Sequence, residues 1–328
     1  MTMQAEMTLE PTPPAAQLGH AVAVVFSGPE QLNVQKLALD AATDEDVVVD
    51  VHWSGISTGT ERLLWTGRMP QFPGMGYPLV PGYETVGRVA HAGRSSGHQV
   101  GSLVFVPGAR CFGDVRGLFG GAASRLVAPG ARVRRVPSDL GEQAALLALA
   151  ATAWHAVDIA VPELIVGHGV LGRLVARVAT LRGESPPTVW ESDAGRRVGA
   201  SGYTVVSPDS DGCRGYRTIC DVSGDSRLLD SLIARLAPGG EIVLAGFYSD
   251  RLSFDFPAAF MREATLRVAA EWRPSDLDAV IELVSSGELS LDGLITHRAN
   301  AAQAADAYAA AFSNPACLKM ILDWRGFL

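Results

Sequence analysis

Leu164-Ile165-Val166-Gly167-His168-Gly169-Val170-Leu171-Gly172 is the stretch that decides the fold, because three apolar residues predict a buried strand and G-x-G-x-x-G predicts a turn into a helix. In such a turn the first glycine permits the tight bend, the second admits a pyrophosphate against the backbone, and the third lets helix pack on strand. The phosphates then meet free N–H groups at the helix start. With 35 glycines in 328 residues the spacing alone is a weak signal, so its context has to carry the inference. Leu174, Val175, Val178 and Leu181 follow at helical spacing, and Thr188-Val189-Trp190 predicts a second strand that closes with Glu191, 19 residues past Gly172. An acid there is placed to hold the adenosine ribose hydroxyls of a dinucleotide, the arrangement of a Rossmann unit.

A carboxylate at Glu191 accepts hydrogen bonds from a free 2′-hydroxyl and repels a 2′-phosphate, which favours NAD over NADP. Arg196 and Arg197 follow closely and pull the other way, although a solvated start of the next element is their expected role. Ser223-Gly224 and Gly246-Phe247 end two further apolar runs. Ligands of parallel sheets lie at such carboxyl ends, so these residues are expected to line the nicotinamide and its ribose.

The chain is 48% hydrophobic with a net charge of −8, which predicts large cores and argues against nucleic acid or an anionic membrane surface as partner. Cys111, Cys213, Cys220 and Cys317 form no C-x-x-C, so neither a disulfide framework nor a zinc knuckle is expected. Of the 27 lysine and arginine residues only Lys36 and Lys319 are lysine, a bias from which no mechanism is read. Residues 1–17 carry acids and prolines and are expected to be a disordered tail, not a signal peptide. No apolar run is long enough to span a bilayer, and the expected location is cytoplasmic, with peripheral membrane contact open.

From His20 onward the sequence reads as strands: Ala21 to Phe26, Val47 to His52, Glu84 to Ala90, Ser102 to Val106 and Ala123 to Val127, a pattern of a small β-rich barrel. Beyond Pro137 it turns helical. From Leu164 strands and helices alternate, through Ile219 to Val222, a helix over Ser226 to Leu236, the turn Pro238-Gly239-Gly240, Glu241 to Phe247 and Leu266 to Ala270. Alternation with right-handed crossovers predicts an α/β fold with a doubly wound parallel sheet. The final predicted strand is Lys319 to Leu322.

This order, with Ser54-Gly55-Ile56-Ser57, Pro81-Gly82-Tyr83-Glu84, Thr152, the glycine loop, Asp221-Val222-Ser223-Gly224 and Ile295-Thr296-His297-Arg298, resembles the medium-chain dehydrogenase/reductase superfamily over nearly the whole chain. The resemblance implies a GroES-like catalytic domain over 18–148 and 273–328, a Rossmann domain over 149–272, and a homodimer. Zinc alcohol dehydrogenases of that superfamily hold catalytic zinc by a cysteine in the first landmark, a histidine in the second and a later cysteine or acid. Here Ser57 and Tyr83 stand in the first two places and Leu146 to Thr152 offers no cysteine. Zinc wants soft or borderline deprotonated ligands, so no metal is expected.

The runs Trp53 to Trp65, Gly67 to Pro70, Phe72 to Glu84 and Val115 to Gly121 carry a closer resemblance, to the superfamily branch that oxidises a bacteriochlorophyllide. It implies oxidation of a tetrapyrrole's 3-(1-hydroxyethyl) group to 3-acetyl with NAD⁺. A flat macrocycle calls for a wide apolar cleft, for which Trp53, Leu63, Trp65, Met69, Phe72, Met75 and Tyr77 are candidates. Arg62, Arg68 and Arg116 are candidates for its propionate or keto oxygens, since a guanidinium fork suits a carboxylate. Without zinc, developing alkoxide needs hydrogen-bond donors. Tyr83 is the candidate donor or acid/base, with a nearby cation such as Arg62 needed for it to act as base. Ser57 and Thr58 are expected to position the hydroxyl, Thr152 to contact the nicotinamide end, and His155 is the competing base. The alternatives are a zinc-free NADPH-dependent quinone or enoyl reductase, and a non-catalytic nucleotide- or pigment-binding protein.

Overall fold

The computed structural model describes residues 19–71 and 73–328. The expected tail over 1–17 and the candidate Phe72 lie outside them. Three sheets organise the described residues. In a four-stranded sheet the hairpin His20–Gly28 with Gln31–Ala38 is extended by Leu79–Val80 and Arg116–Gly117. The second hairpin strand is not among those expected from the sequence. Its polar residues face solvent, so it presents one apolar stripe too thin to read as core.

The seven-stranded sheet runs His297–Asn300, Met320–Asp323, Asp46–Ile56, Thr85–Ala92, Leu103–Val106, Arg134–Arg135, with Arg125–Pro129 also paired to Asp46–Ile56. The chain's last strand therefore lies beside its third, antiparallel, with Met320 opposite Ile56 and Asp323 opposite Trp53. Trp324 follows it, fully buried, and its indole N–H donates to Ser54 Oγ at 2.9 Å. A buried indole needs such an acceptor.

The third sheet is parallel throughout, in the order Thr204–Val206, Thr188–Trp190, Leu164–Val166, Tyr216–Asp221, Leu236–Leu244, Thr265–Val268. Numbered along the chain this is 3-2-1-4-5-6, the doubly wound order in which ligands sit where the direction of winding reverses. Leu164, Ile165 and Val166 are buried on both faces, as central parallel strands must be. One face packs on the alanine-rich helix Leu147–Ile159 and the helix Val170–Arg182, within a core that also takes in Phe105 and Ile321 of the seven-stranded sheet. The other packs on Leu229, Leu232 and Ile233.

Two expectations are corrected. The helix expected over Ser226 to Leu236 is confined to Leu229–Ile233, and the strand has already begun at Leu236. Pro238-Gly239-Gly240 lies within that strand as a bulge, since Leu236 pairs with Tyr216 and Glu241 with Thr218, which leaves the residues between unpaired. Gly239 takes φ +74° there, which glycine tolerates and most residues do not. The crossovers on either side of Thr204–Val206 contain only single 3-10 turns, Ala194–Arg196 and Pro208–Ser210. Among the described residues no helix is long and apolar enough to cross a membrane.

If Trp324 is what fastens the final strand to the first half of the chain, Trp324→Ala should destabilise the protein by about 3–5 kcal/mol, through its cavity and an unpaired Ser54. Denaturant unfolding checks this, and an unchanged midpoint would contradict it.

Candidate active site

The parallel register sets the site's cofactor side. Val166 is level with Trp190 and Asp221, and Asp221 with Leu244, so Gly167, Glu191, Val222 and Ala245 leave the sheet side by side. Each glycine of the loop has its own reason. Gly167 has φ +106°, where a side chain is strained. A Cβ on Gly172 would overlap the Gly167 carbonyl, so that position is closed by packing. A Cβ on Gly169 would meet nothing within 4 Å. Gly169 is also the N-cap of the helix Val170–Arg182, and no side chain caps that end. Open space before unpartnered N–H groups is what a pyrophosphate requires, and these residues fit a dinucleotide.

Glu191 is buried, and its carboxylate accepts the backbone N–H of His168 at 3.1 Å and of Asp193 at 2.9 Å. His168 itself points away from the loop mouth. Burial lowers its pKa below the ordinary 6.5. Nδ1 at 2.6 Å from the Arg196 carbonyl must be the donor, which leaves Nε2 to accept from the Tyr203 hydroxyl at 2.9 Å. Its role is to fasten the loop, so the expectation that His168 contacts the cofactor narrows to its backbone. Arg173, buried in the helix, donates to the carbonyls of His168, Arg196, Val198 and Gly199 and so secures the same crossover. Arg196 donates to Pro315 O, and Arg197 to the carbonyls of Glu191 and Ser192.

Two more strand ends complete this side. The Ser223 N–H donates to Asp221 Oδ1 at 2.9 Å, and the Tyr248 hydroxyl donates to Asp221 Oδ2 at 2.8 Å. Asp221 is buried, which raises its pKa, and it ties the turns holding Ser223-Gly224 and Gly246-Phe247 together. Phe247 is half exposed beside them.

On the other side Ser57 follows the strand Asp46–Ile56 and Tyr83 precedes the strand Thr85–Ala92. Their hydroxyls are 2.6 Å apart, and Thr60 Oγ1 is 3.5 Å from the Tyr83 hydroxyl. Phe119 stands edge-on to the Tyr83 ring at 5.3 Å. Ser57 N–H donates to Glu61 Oε1 at 3.1 Å, and the Tyr308 hydroxyl donates to Glu61 Oε2 at 2.6 Å. Burial pushes the Tyr83 phenol well above its usual pKa, and the Glu84 carboxylate adds to this. Tyr83 is thus a hydrogen-bond donor. The expectation that Arg62 makes it a base fails, because Arg62 is exposed on the helix Thr60–Trp65 while the charges bearing on the phenol are carboxylates.

His155 lies on a different element from the hydroxyl pair. It is buried on the helix Leu147–Ile159 with Nδ1 3.0 Å from Asp276 Oδ2, where it joins that helix to Pro274–Ser285. Thr152, on the same helix, donates to Ala148 O at 3.0 Å. Thr58 is half-buried next to Ser57. Of the expected cleft wall, Met69 is buried in the barrel core, Trp65 stands edge-on to Phe26, and the Arg325 guanidinium covers the Trp53 ring at 5.1 Å. Apolar patterning does not separate core from cleft, and each of these residues gives at least one face to the scaffold. Arg116 is exposed and donates to Tyr77 O. Arg68 reaches across to Ser249 Oγ and Asp250 Oδ2, both at 3.3 Å, so the loop before Leu79 meets the loop after Gly246-Phe247.

A zinc ion would find two hydroxyls bonded to each other and a Glu84 carboxylate already held by Lys319, with neither thiolate nor imidazole, so these residues do not fit it. Among the described residues no three His, Cys, Asp or Glu side chains converge.

Residues 43–138 match the alcohol dehydrogenase GroES-like domain family. The chain is 55% identical to the 2-desacetyl-2-hydroxyethyl bacteriochlorophyllide A dehydrogenases of Cereibacter sphaeroides, over 311 residues, and Rhodobacter capsulatus, over 306 residues. In both cases 92% of this chain and 98% of the relative is covered. Acetophenone reductase from Geotrichum candidum in complex with NAD superposes with a TM-score of 0.79 at 18% identity, over 95% of this chain and 98% of that one. A putative zinc-binding dehydrogenase from Sinorhizobium meliloti bound to NADP does so with 0.77 at 20% identity, over 93% and 99%.

Burial raises the Glu61 pKa from the ordinary 4.5 to about 7, against the hydrogen bonds from Tyr308 and Ser57 that favour its charge. A carboxyl whose pKa is raised by folding stabilises fully below its unfolded pKa and loses that contribution as pH climbs through the folded one. Glu61→Gln should therefore gain on the wild type between about pH 4.5 and 7, by about 3 kcal/mol at most. Melting curves at pH 5 and pH 8 check this, and equal differences at both would contradict it.

Proposed function

Because the chain belongs to the bacteriochlorophyllide a dehydrogenase family of medium-chain dehydrogenases, we propose that it oxidises the 3-(1-hydroxyethyl) group of a bacteriochlorophyllide to 3-acetyl, in bacteriochlorophyll a biosynthesis. The observation that carries the mechanism is the Ser57–Tyr83 hydroxyl pair, 2.6 Å apart in the place where relatives in the wider superfamily keep metal ligands. We further propose that NAD is the cofactor and that no zinc takes part.

Bound nicotinamide supplies the hydride acceptor. The residues supply position and proton handling. The backbone at Gly167, Gly169 and Gly172 and the helix start receive the pyrophosphate, and Glu191 the adenosine ribose. Glu191 still has free lone pairs after its two backbone partners, Asp193 adds a second carboxylate nearby, and Arg196 and Arg197 are engaged with carbonyls. This supports NAD over NADP, since two carboxylates face the ribose and each of the two nearby guanidinium groups is already engaged at one nitrogen. Ser57 and Tyr83 hold the substrate hydroxyl by hydrogen bonds that strengthen as charge develops on its oxygen. The proton of the alcohol passes along the hydroxyl pair, each hydroxyl handing one proton on as it takes one, so that Tyr83 stays protonated, and solvent water at half-buried Thr60 is the final acceptor. Arg62 and Arg116 are exposed near these segments and are assigned to the substrate's acidic or keto oxygens.

We also propose a homodimer. Phe256, Phe260 and Met261 of the helix Phe256–Arg262 and Val268 of the edge strand Thr265–Val268 are all exposed, an apolar patch at an open sheet edge. Val268→Lys should then give monomers in sedimentation, while a wild-type monomer would remove the proposal.

The activity is tested with chelated protein, hydroxyethyl bacteriochlorophyllide and NAD⁺ or NADP⁺, following nicotinamide absorbance and the pigment's red band together. Conversion with NAD⁺ after chelation is expected, with Tyr83→Phe and Ser57→Ala each lowering kcat by about 10²-fold or more. Conversion only with NADP⁺, or only with added zinc, would overturn the corresponding proposal. NADPH-dependent quinone reduction in its place would favour the reductase alternative.

A further inference from the structure

Lys319 and Glu84 form a buried ion pair for which hydride transfer has no direct use. Lys319 is 1% exposed and Glu84 is fully buried. The ammonium lies 2.8 and 2.6 Å from the two Glu84 carboxylate oxygens and 3.1 Å from the Ile56 carbonyl. The ammonium's three N–H donors meet three acceptor atoms, so no donor of the buried charge is left over.

That count explains why lysine stands here in a chain whose other side-chain cations, Lys36 apart, are arginines or histidines. A guanidinium carries five donors in a rigid plane, and two of them would be buried without partners. The lysine is therefore fitted to the site and not exchangeable by charge. Gly55 is fitted too, since a Cβ there would overlap the Glu84 carboxylate, and its N–H donates to Glu84 O at 2.8 Å.

The acceptors identify what the pair holds. Ile56 is the residue before Ser57, and Glu84 is the residue after Tyr83. Lys319 directly precedes the final strand, where Met320 pairs with Ile56. We propose that Lys319 is a positioning residue for the alcohol oxidation: by bonding Ile56 O and Glu84 at once, it fixes the two backbone segments whose hydroxyls meet at 2.6 Å. A loose ammonium would let Ser57 and Tyr83 separate, and the hold on the substrate oxygen would be weakened more in the transition state than in the ground state. The inference rests on reading Ser57 and Tyr83 as the site of the substrate hydroxyl.

Lys319→Met with Glu84→Gln removes both charges and leaves no buried ion alone. This double variant, Tyr83→Phe, and the triple combination are compared in the full-length protein, each verified by circular dichroism and by NADH titration. For the double variant kcat should fall at least about tenfold, with the NADH dissociation constant unchanged and the pigment KM altered less than about threefold. The triple variant should be slowed clearly less than the product of the two losses, because Lys319 acts in part through that hydroxyl. Should the double variant fail to fold, Lys319→Arg, which keeps the charge and misplaces the donors, should lower kcat in the same way. A kcat within twofold of the wild type, or losses that multiply fully in the triple variant, would overturn the inference while leaving the hydroxyl pair in place. Full turnover by Tyr83→Phe would instead remove the reading on which it rests.

Discussion

One register connects the two ends of this chain: Met320 opposite Ile56 in an antiparallel pair. It carries Lys319 to the floor of the candidate site, where a buried ammonium has to find acceptors or cost several kcal/mol. It finds them on Ile56 and Glu84. From that contact the surrounding choices follow. Gly55 leaves room for the carboxylate, Trp324 locks the strand from behind through Ser54, and Glu61 holds the Ser57 backbone from the other side. The hydroxyls of Ser57 and Tyr83 are then presented together by three separate parts of the sequence.

The cofactor side depends on simpler physics. A parallel sheet aligns its strand ends, and whatever residues come next share one rim. Gly167, Glu191, Ser223 and Gly246 share it here, and buried Asp221 with Tyr248 keeps two of those turns in place. The crossover after Glu191 has no α-helix to stiffen it. Arg173 and His168 do that work instead, by bonding backbone carbonyls that a helix would have satisfied internally.

What was legible in the sequence was local. The strand Thr188–Trp190 and the helix after Gly169 lie where periodicity predicts them, because a buried parallel strand and an amphipathic helix each declare themselves within a few residues. Pro238-Gly239-Gly240 predicts a turn and forms a bulge, since the same residues serve both. Illegible were contacts made across the chain: Lys319 with Glu84, His155 with Asp276, Arg68 with Asp250. Only two lysines among the positive charges was a signal for the first of these, though composition cannot say what the lysine meets. Tyr83 is legible as a departure from a metal ligand, but its protonation depends on burial first and then on Glu84 and Glu61, and not on Arg62.

In the proposed mechanism two hydroxyls hold the substrate oxygen. A crystal structure of the enzyme with NADH and 3-acetyl bacteriochlorophyllide measures this directly. The acetyl oxygen is predicted within about 3 Å of both Ser57 Oγ and Tyr83 Oη, the distance of a hydrogen bond. An acetyl oxygen bound to a metal ion, or turned towards His155, would contradict it.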